Sequence, residues 1–325
     1  MSLFGRHVKG LEVLEKIARE PGDHWWKDLL ALWRPSGQAC ALEPGDFGLR
    51  LAIRNGYLNF YRMGQSVARV EVSRKGASAR THIKYVAPNL AGASQEYATL
   101  QGDWLVRPKG AGAIRYEGLS SLKSWIAAVD GSAVAPGYSG PEKRFVDKLV
   151  GENGGVIDLE MALPAWTDKR SAPRMDLVAL EMSDQRPKIV FWEAKLLHDS
   201  RIRCRGPALT DKKPEVLEQL SRYRNFLEDR TRLLAVEEAY QGAAEILVRL
   251  RLIADALGPT RPLSRVIHDA ATNGVTIDRQ ARLVVRMEDS NHVDTWPHDR
   301  LKLSTAGIPL LEVEPEGSHQ LQMPK

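Results

Sequence analysis

Two charged residues interrupt an otherwise apolar run at positions 188–197, KIVFWEAKLL. On a β-strand successive side chains alternate between faces, so Glu193 and Lys195 point the same way, together with Ile189 and Phe191. Their Cα atoms would lie about 6.6 Å apart at a rise of ~3.3 Å per residue. A carboxylate and an ammonium each cost several kcal/mol to bury unless they are paired or bind a metal ion. The spacing therefore predicts two groups that converge on one ion or one water.

A third charge lies in the preceding apolar run, RMDLVALEM at 174–182. Asp176 shares a strand face with Val178 and Leu180. If the two strands are neighbours, Asp176 lies beside Glu193, and two adjacent carboxylates repel unless a cation intervenes. Carboxylate oxygens are ligands that suit Mg²⁺. We therefore expect a magnesium site between these strands.

An acid on one strand followed by Glu-x-Lys on the next resembles the PD-(D/E)xK nuclease superfamily. Downstream, QLSRY at 219–223 is similar to the Q-h-x-x-Y pattern of the RecB-like branch. On a helix Gln219 and Tyr223 would lie on one face. The resemblance covers residues 140–313. It departs from the family at one place, because Pro173 is separated from Asp176 by two residues.

The resemblance implies a metal-dependent nuclease that hydrolyses the phosphodiester bonds of DNA. Mg²⁺ or Mn²⁺ would activate water, and Lys195 would orient or deprotonate that water. Glu142, at helical spacing with Val146 and Leu149, corresponds to a helical acid of the family. The catalytic residues expected from the resemblance are Asp176, Glu193, Lys195, Gln219 and Tyr223. The expected metal ligands are Asp176, Glu193, the carbonyl of Ala194, and Glu142.

Each part of this pattern also has a structural interpretation. Glu-x-Lys is commonly an ion-paired row on a strand, and Asp176 could pair with Arg174. Glu142 would interact favourably with the helix dipole if it lies in a first helical turn. Asp158 and Glu160, in the apolar run before Asp176, are alternatives for a second metal ion.

A basic segment follows the Glu-x-Lys triplet. Between Lys195 and Lys213 there are six Lys or Arg residues against two acids. Arg201, Arg203 and Arg205 alternate, as they would on an extended segment beside the active site. We expect them to contact phosphates, with a solvated basic loop as the alternative. The formal net charge of +5 permits a polyanionic partner without requiring one.

The chain divides at a stretch rich in Gly, Ser and Pro, residues 129–142, which predicts a linker. We expect an N-terminal α+β domain over 1–132, for recognition or oligomerisation, and a nuclease-like domain over 133–325. Alternating runs at 49–73, interrupted at Asn55-Gly56 and Met63-Gly64, predict antiparallel strands. The remaining N-terminal elements are two short helices within 5–20 and 25–34 and a strand at 81–87.

After the linker the pattern predicts a helix, three strands and further helices. The predicted strands are 156–166, 174–182, 188–197, 281–287 and 308–313, and the predicted helices are 141–150, two within 213–258, and 296–307. This order indicates an α/β fold, and the resemblance implies a restriction-endonuclease-like mixed sheet flanked by helices.

Composition restricts the class of protein. With 43% hydrophobic and 27% charged residues the chain can bury a sizeable core. Two distant cysteines, Cys40 and Cys204, argue against a disulfide framework or a zinc site. No signal peptide and no apolar run of ~20 residues is present, so we expect a cytoplasmic protein without a membrane partner.

Three questions about function stay open at this level. A catalytically silent DNA-binding or assembly module, or a nuclease that acts on RNA, would share much of this pattern. A homodimer is a further expectation for an enzyme that cuts both strands. Phage defence, restriction and repair all use this type of core, and the residues do not choose among them.

Overall fold

The protein was analysed as a computed structural model. It describes residues 4–40, 45–74, 76–87, 96–107, 113–133, 140–164, 174–203, 213–258, 262–288 and 295–323. Within them the chain is a mixed α/β structure with one antiparallel sheet and one mixed sheet.

The N-terminal part contains a seven-stranded antiparallel sheet whose strands follow each other in chain order. Helices α1 (Leu11–Arg19) and α2 (Trp25–Leu32) precede it. Its strands are β1 (Arg50–Arg54), β2 (Tyr57–Arg62), β3 (Gln65–Ser73), β4 (Gly76–His82), β5 (Tyr97–Gln101), β6 (Trp104–Val106) and β7 (Ala113–Arg115). A short helix α3 (Ile83–Val86) lies between β4 and β5, and α4 (Leu119–Ala133) follows β7.

The two predicted turns are confirmed. Arg54 pairs with Tyr57 across the Asn55-Gly56 turn, where Gly56 has φ 90°. Met63 and Gly64 join β2 to β3 with φ 48° and 68°, the left-handed pair that suits a tight hairpin.

The strand predicted at 81–87 is wrong beyond His82. The imidazole Nδ1 of His82 accepts a hydrogen bond from the backbone N–H of Lys84 at 3.1 Å. This side-chain cap starts α3 at Ile83, and a capped turn cannot continue the extended ladder.

The predicted linker at 129–142 is also too long. Ile126 and Val129 are buried at helical spacing, so α4 runs on to Ala133, and the next helix begins at Gly140. Residues 134–139 lie outside the described residues. The division into domains at 132/133 stays a prediction.

The C-terminal part is built on a six-stranded mixed sheet. Its elements are α5 (Gly140–Glu152), β8 (Val156–Ala162), β9 (Arg174–Ser183), β10 (Arg186–Leu196), α6 (Glu215–Glu228), α7 (Arg230–Asp255), α8 (Arg265–Asn273), β11 (Thr276–Ile277), β12 (Arg282–Arg286), α9 (Trp296–Thr305) and β13 (Leu310–Val313). The main strand order is β13-β12-β10-β9-β8, and β11 pairs with β10.

The sheet is antiparallel across β8, β9 and β10 and parallel across β10, β12 and β13. The predicted order of helices and strands is confirmed, although α8 and β11 were not predicted. The first predicted strand, 156–166, ends at Ala162. The α/β class is therefore confirmed, and the restriction-endonuclease-like assignment stays a prediction.

Strand β10 lies in the middle of the sheet and is covered on both faces. Ile189 and Phe191 join the larger hydrophobic core with α6 and α7, whereas Val190 and Trp192 pack against α5 in a second core. This burial explains why the strand is apolar throughout, and it makes any charge on it expensive.

Buried ion pairs join the two sheets. Arg50 on β1 donates to Asp147 on α5 at 3.0 Å. Arg54 on β1 contacts Asp158 on β8, which also pairs with Arg6 at 2.8 Å. None of the helices in the described residues combines the length and apolarity needed to span a membrane.

Candidate active site

The ammonium of Lys195 lies among three carboxylates. Its Nζ contacts Glu193 Oε1, lies 3.3 Å from Glu142 Oε1 and lies 3.5 Å from Asp176 Oδ2. It also donates to the carbonyl of Ala194 at 2.8 Å. Lys195 is fully buried and Glu193 is 2% exposed, so the cluster is shielded from solvent. Residues from β9, β10 and the start of α5 thus meet in one place.

Strand pairing brings Asp176 to this cluster. Trp192 on β10 pairs with Leu177 on β9. The next pair of positions along these antiparallel strands is therefore Glu193 and Asp176. The carboxylate of Asp176 accepts the backbone N–H of Ala194 at 2.9 Å. The side chain therefore takes over a backbone donor of β10, which fixes the carboxylate against the Glu-x-Lys triplet.

Gln219 reaches the cluster from α6. Its Nε2 donates to Glu193 Oε2 at 2.7 Å and to the carbonyl of Arg174 at 2.7 Å. The two oxygens of Glu193 are thus held by different partners, Lys195 on one side and Gln219 on the other. This contact orients the carboxylate and ties α6 to both central strands.

Tyr223 has a different place from Gln219. It is fully buried, packs against Phe191 with ring centroids 5.8 Å apart, and donates to the carbonyl of Met161 at 2.9 Å. The hydroxyl therefore anchors β8 under α6. The described hydrogen bond of Tyr223 thus goes to β8 and not to Glu193 or Asp176.

Of the three predicted phosphate-binding arginines, the two that the structure describes, Arg201 and Arg203, have different partners. Arg201 Nη2 lies 3.2 Å from Glu142 Oε1 and pairs with Asp199 as well, at the rim of the cluster. Arg203 instead turns to the buried Asp299 at 3.1 Å. Arg205 lies outside the described residues.

The extended segment expected through these arginines is wrong at its start. Residues Ser200–Ile202 form a short 3₁₀ turn, because the Asp199 side chain accepts the N–H of Arg201 and caps it. Arg201 and Arg203 therefore do not project side by side.

The sequence did not identify a second ion pair beside the cluster. Lys143, next to Glu142 on α5, contacts the carboxylate of Glu160 on β8. Glu160 has φ 48°, a left-handed conformation that a non-glycine residue rarely adopts within a strand. Such strain persists only where surrounding contacts hold it, and it occurs often at functional sites.

Asp158 is used in the framework. Its carboxylate accepts from Arg6 at 2.8 Å, contacts Arg54, and accepts the hydroxyl of Tyr240 at 3.1 Å. These partners lower the pKa of Asp158 against the opposing effect of burial. The carboxylate is thus held by Arg6 and Arg54, and a role for Asp158 at a second metal ion stays a prediction.

Burial and repulsion shape the protonation of the cluster. Burial, and then the neighbouring Asp176, raise the pKa of Glu193 to about 8, although Lys195 and Gln219 oppose the shift. Burial alone would lower the pKa of Lys195, but Asp176, Glu193 and Glu142 raise it above its usual value. In the metal-free cluster Lys195 therefore stays an ammonium at neutral pH, and Glu193 holds a proton.

The donor set fits a hard divalent cation. Among the described residues no group of three or more His, Cys, Asp or Glu side chains is arranged to hold a metal ion. Carboxylate oxygens of Asp176 and Glu193 and the Ala194 carbonyl surround the ammonium of Lys195, and oxygen atoms are the ligands that Mg²⁺ prefers. Three acids face one ammonium, while Arg201 is shared with Asp199. Ionisation of Glu193 would leave an excess of buried negative charge, which favours an added cation.

Comparison with known protein families, with curated proteins and with solved structures found no match to this chain.

Proposed function

We propose that this chain is a Mg²⁺- or Mn²⁺-dependent nuclease that hydrolyses phosphodiester bonds of DNA on a restriction-endonuclease-like sheet. The observation that supports it most is the buried cluster of Asp176, Glu193 and Lys195, joined by Glu142 and by the amide of Gln219. Buried acids and an ammonium at the end of two central strands are expensive for stability alone, which favours a chemical role.

Asp176, Glu193 and the Ala194 carbonyl would hold the ion, with Glu142 beside them. The bound ion would supply an acidified water and would neutralise charge on the phosphate. Binding needs Glu193 in its ionised form, so the raised pKa of this group sets a proton in competition with the ion.

Lys195 would act as a donor in this mechanism. In the metal-free cluster Asp176, Glu193 and Glu142 raise the pKa of Lys195, so the side chain is an ammonium at neutral pH. An ammonium there would orient the attacking water and offset negative charge on the phosphate. This argument favours the orienting role over the general-base role that the resemblance left open.

Gln219 and Arg201 would serve the same site differently. Gln219 holds Glu193 in its orientation through the 2.7 Å bond from its amide. Arg201 lies at the rim with its side chain 41% exposed. Its guanidinium could there release the Glu142 carboxylate and bind a phosphate oxygen instead. We include Arg201 among the phosphate contacts, whereas the engagement of Arg203 with Asp299 speaks against the same role.

DNA as substrate follows from the resemblance, and phage defence, restriction or repair in the cytoplasm is the setting we propose for it. A homodimer would let two such sites cut both strands. A catalytically silent DNA-binding module is the competing function, and an RNA substrate is the competing chemistry.

The test compares Lys195→Met with Lys188→Met, a lysine on the same strand that is only half-buried. Each purified protein is incubated with circular and linear DNA, with RNA, and with Mg²⁺, Mn²⁺ or EDTA. We expect metal-dependent cleavage of DNA by the wild type and by Lys188→Met, and none by Lys195→Met. Circular dichroism confirms that each variant folds, and Glu193→Gln provides a second, isosteric variant.

Cleavage of DNA by Lys195→Met at the wild-type rate would rule out the proposed site. Binding of DNA without cleavage by any of the proteins, at any metal concentration, would indicate the silent module. Cleavage of RNA without cleavage of DNA would show that RNA is the substrate of the site.

A further inference from the structure

The N-terminal sheet has one face that the fold uses only in part. At β1 and β2 this face is buried, with Arg50 and Arg54 paired to acids of the C-terminal part and Asn59 6% exposed. From β3 to β7 the same face is open to solvent. We call that region the open face, defined by Arg69, Arg80, Tyr97, Trp104 and Arg115, with the half-buried Tyr57 at the start of β2 beside Arg69.

Register shows that these side chains share one side of the sheet. Arg69 pairs with Arg80, and Trp104 pairs with Gln101 on one side and with Arg115 on the other. Residues between them point inward, and Val70, Ala79, Leu100 and Leu105 are all at most 3% exposed. The core is thus complete on the opposite side, and the open face is not needed to close it.

Large rings on the open face are exposed without structural need. Trp104 is 50% exposed and Tyr97 is 37% exposed. Exposed apolar side chains that share one face mark interaction sites more often than scattered ones do. They are planar, and they stand on a rigid sheet, so they offer flat surfaces at low entropic cost.

Guanidinium groups lie over the rings of two tyrosines, Tyr57 and Tyr97. The Cζ of Arg69 is 3.8 Å from the ring centroid of Tyr57, and the Cζ of Arg80 is 5.5 Å from that of Tyr97. Among the described positions of the open face Glu71 is the one acid, and it pairs with Arg69 at 2.6 Å. No described acid lies within ion-pair distance of Arg80 or Arg115. The face therefore combines positive charge with stacking surfaces.

We propose that the open face binds single-stranded nucleic acid. Unpaired bases would stack on Trp104 and Tyr97, and Arg80 and Arg115 would contact the phosphates between them. Stacking on aromatic side chains combined with a basic surface is the usual way in which single strands are bound. The bases of a duplex are stacked on each other and do not offer their faces to a ring.

A second copy of the chain fits this surface less well. Arginines on one copy would face arginines on the other, and the exposed apolar side chains are too few for the ~800 Å² per partner of a stable interface. The inference concerns a binding surface and does not depend on cleavage at the acidic cluster.

The test measures binding in EDTA, so that no cleavage occurs. A fluorescein-labelled single-stranded oligonucleotide of about 12 nucleotides, with a duplex of the same sequence beside it, is titrated with the full chain and followed by anisotropy. We expect tighter binding of the single strand, a roughly tenfold loss for Trp104→Ala, and recovery of most of it by Trp104→Phe. Arg80→Ala and Arg115→Ala should each lower the slope of log affinity against log salt by about 0.7.

Controls use exposed residues elsewhere. Leu252→Ala on α7, 66% exposed, and Arg265→Ala on α8 should bind as the wild type does. Unchanged affinity in Trp104→Ala, Arg80→Ala and Arg115→Ala overturns the inference, as does tighter binding of the duplex. Self-association that Trp104→Ala abolishes, with oligonucleotide affinity unchanged, would assign the face to a second copy instead.

The inference and the proposed function can fail separately. Cleavage of DNA by a chain whose open-face variants bind normally removes only the inference. Binding that depends on Trp104 and Arg80, in a chain that never cleaves, leaves the inference standing and removes the nuclease.

Discussion

The affinity of the acidic cluster for a divalent ion should depend steeply on pH. Burial and Asp176 raise the pKa of Glu193 to about 8, so the metal-free cluster holds a proton at neutral pH. A divalent ion must displace that proton to bind. Affinity should therefore rise with pH and level off above about 8.

The magnitude follows from one displaced proton. Each pH unit below the pKa changes the apparent affinity by about tenfold, so at about pH 6 Mn²⁺ should bind roughly 100-fold more weakly than on the plateau well above pH 8. A normal glutamate would titrate near 4.3 and would give almost no change over this range. The two cases differ by about 2.7 kcal/mol, well above experimental error.

Calorimetric titration with Mn²⁺ in two buffers of different ionisation enthalpy measures both affinity and proton release. We expect close to one proton released per ion at neutral pH, and no binding by Glu193→Gln. Glu181→Gln is the matched control, because Glu181 on β9 also has a raised pKa but pairs with Arg282 away from the cluster. Binding that is independent of pH, with no proton released, would refute the electrostatic argument.

Three further predictions concern stability. The free energy of unfolding of the metal-free protein should fall as pH rises from about 4.5 to about 8, because the folded state holds a proton on Glu193 that the unfolded chain has lost. Urea titrations at several pH values should show this slope in the wild type and not in Glu193→Gln. Tyr223→Phe should lower the free energy of unfolding by about 1–3 kcal/mol, because the buried Met161 carbonyl loses its donor, and a change below experimental error would contradict this role. Asp158→Asn should be more costly, about 3–5 kcal/mol, since it leaves two buried guanidiniums without a counter-charge, and thermal unfolding would contradict the argument if the variant melted with the wild type.

Local pattern was sufficient for the strands that carry the cluster. The apolar run around Glu193 and Lys195 predicts a central strand, and β10 is buried on both faces as expected. The proximity of Asp176 and Glu193 could also be predicted, because strands joined by a short turn usually pair. The helix that carries Gln219 could be placed by its spacing alone.

Contacts between distant segments could not be predicted in this way. Asp158 pairs with Arg54 and Arg6, which lie 104 and 152 positions away, and no periodicity links them. The pairing of Lys143 with Glu160 depends on a left-handed residue within β8, where the sequence shows an ordinary alternating strand. Side-chain caps at His82 and Asp199 likewise override the local pattern of extended residues.

The ion pairs between the sheets make the two parts of the chain mutually dependent. Asp147 and Asp158 belong to the C-terminal part, yet the guanidiniums that neutralise them come from residues 6, 50 and 54. A fragment that starts after α4 would leave both aspartates buried in an apolar setting without their cations, and the N-terminal fragment would leave three arginines in the same position. Asp158 lies on β8, two residues from the left-handed Glu160, so the strand beside the acidic cluster is anchored by arginines more than a hundred positions upstream.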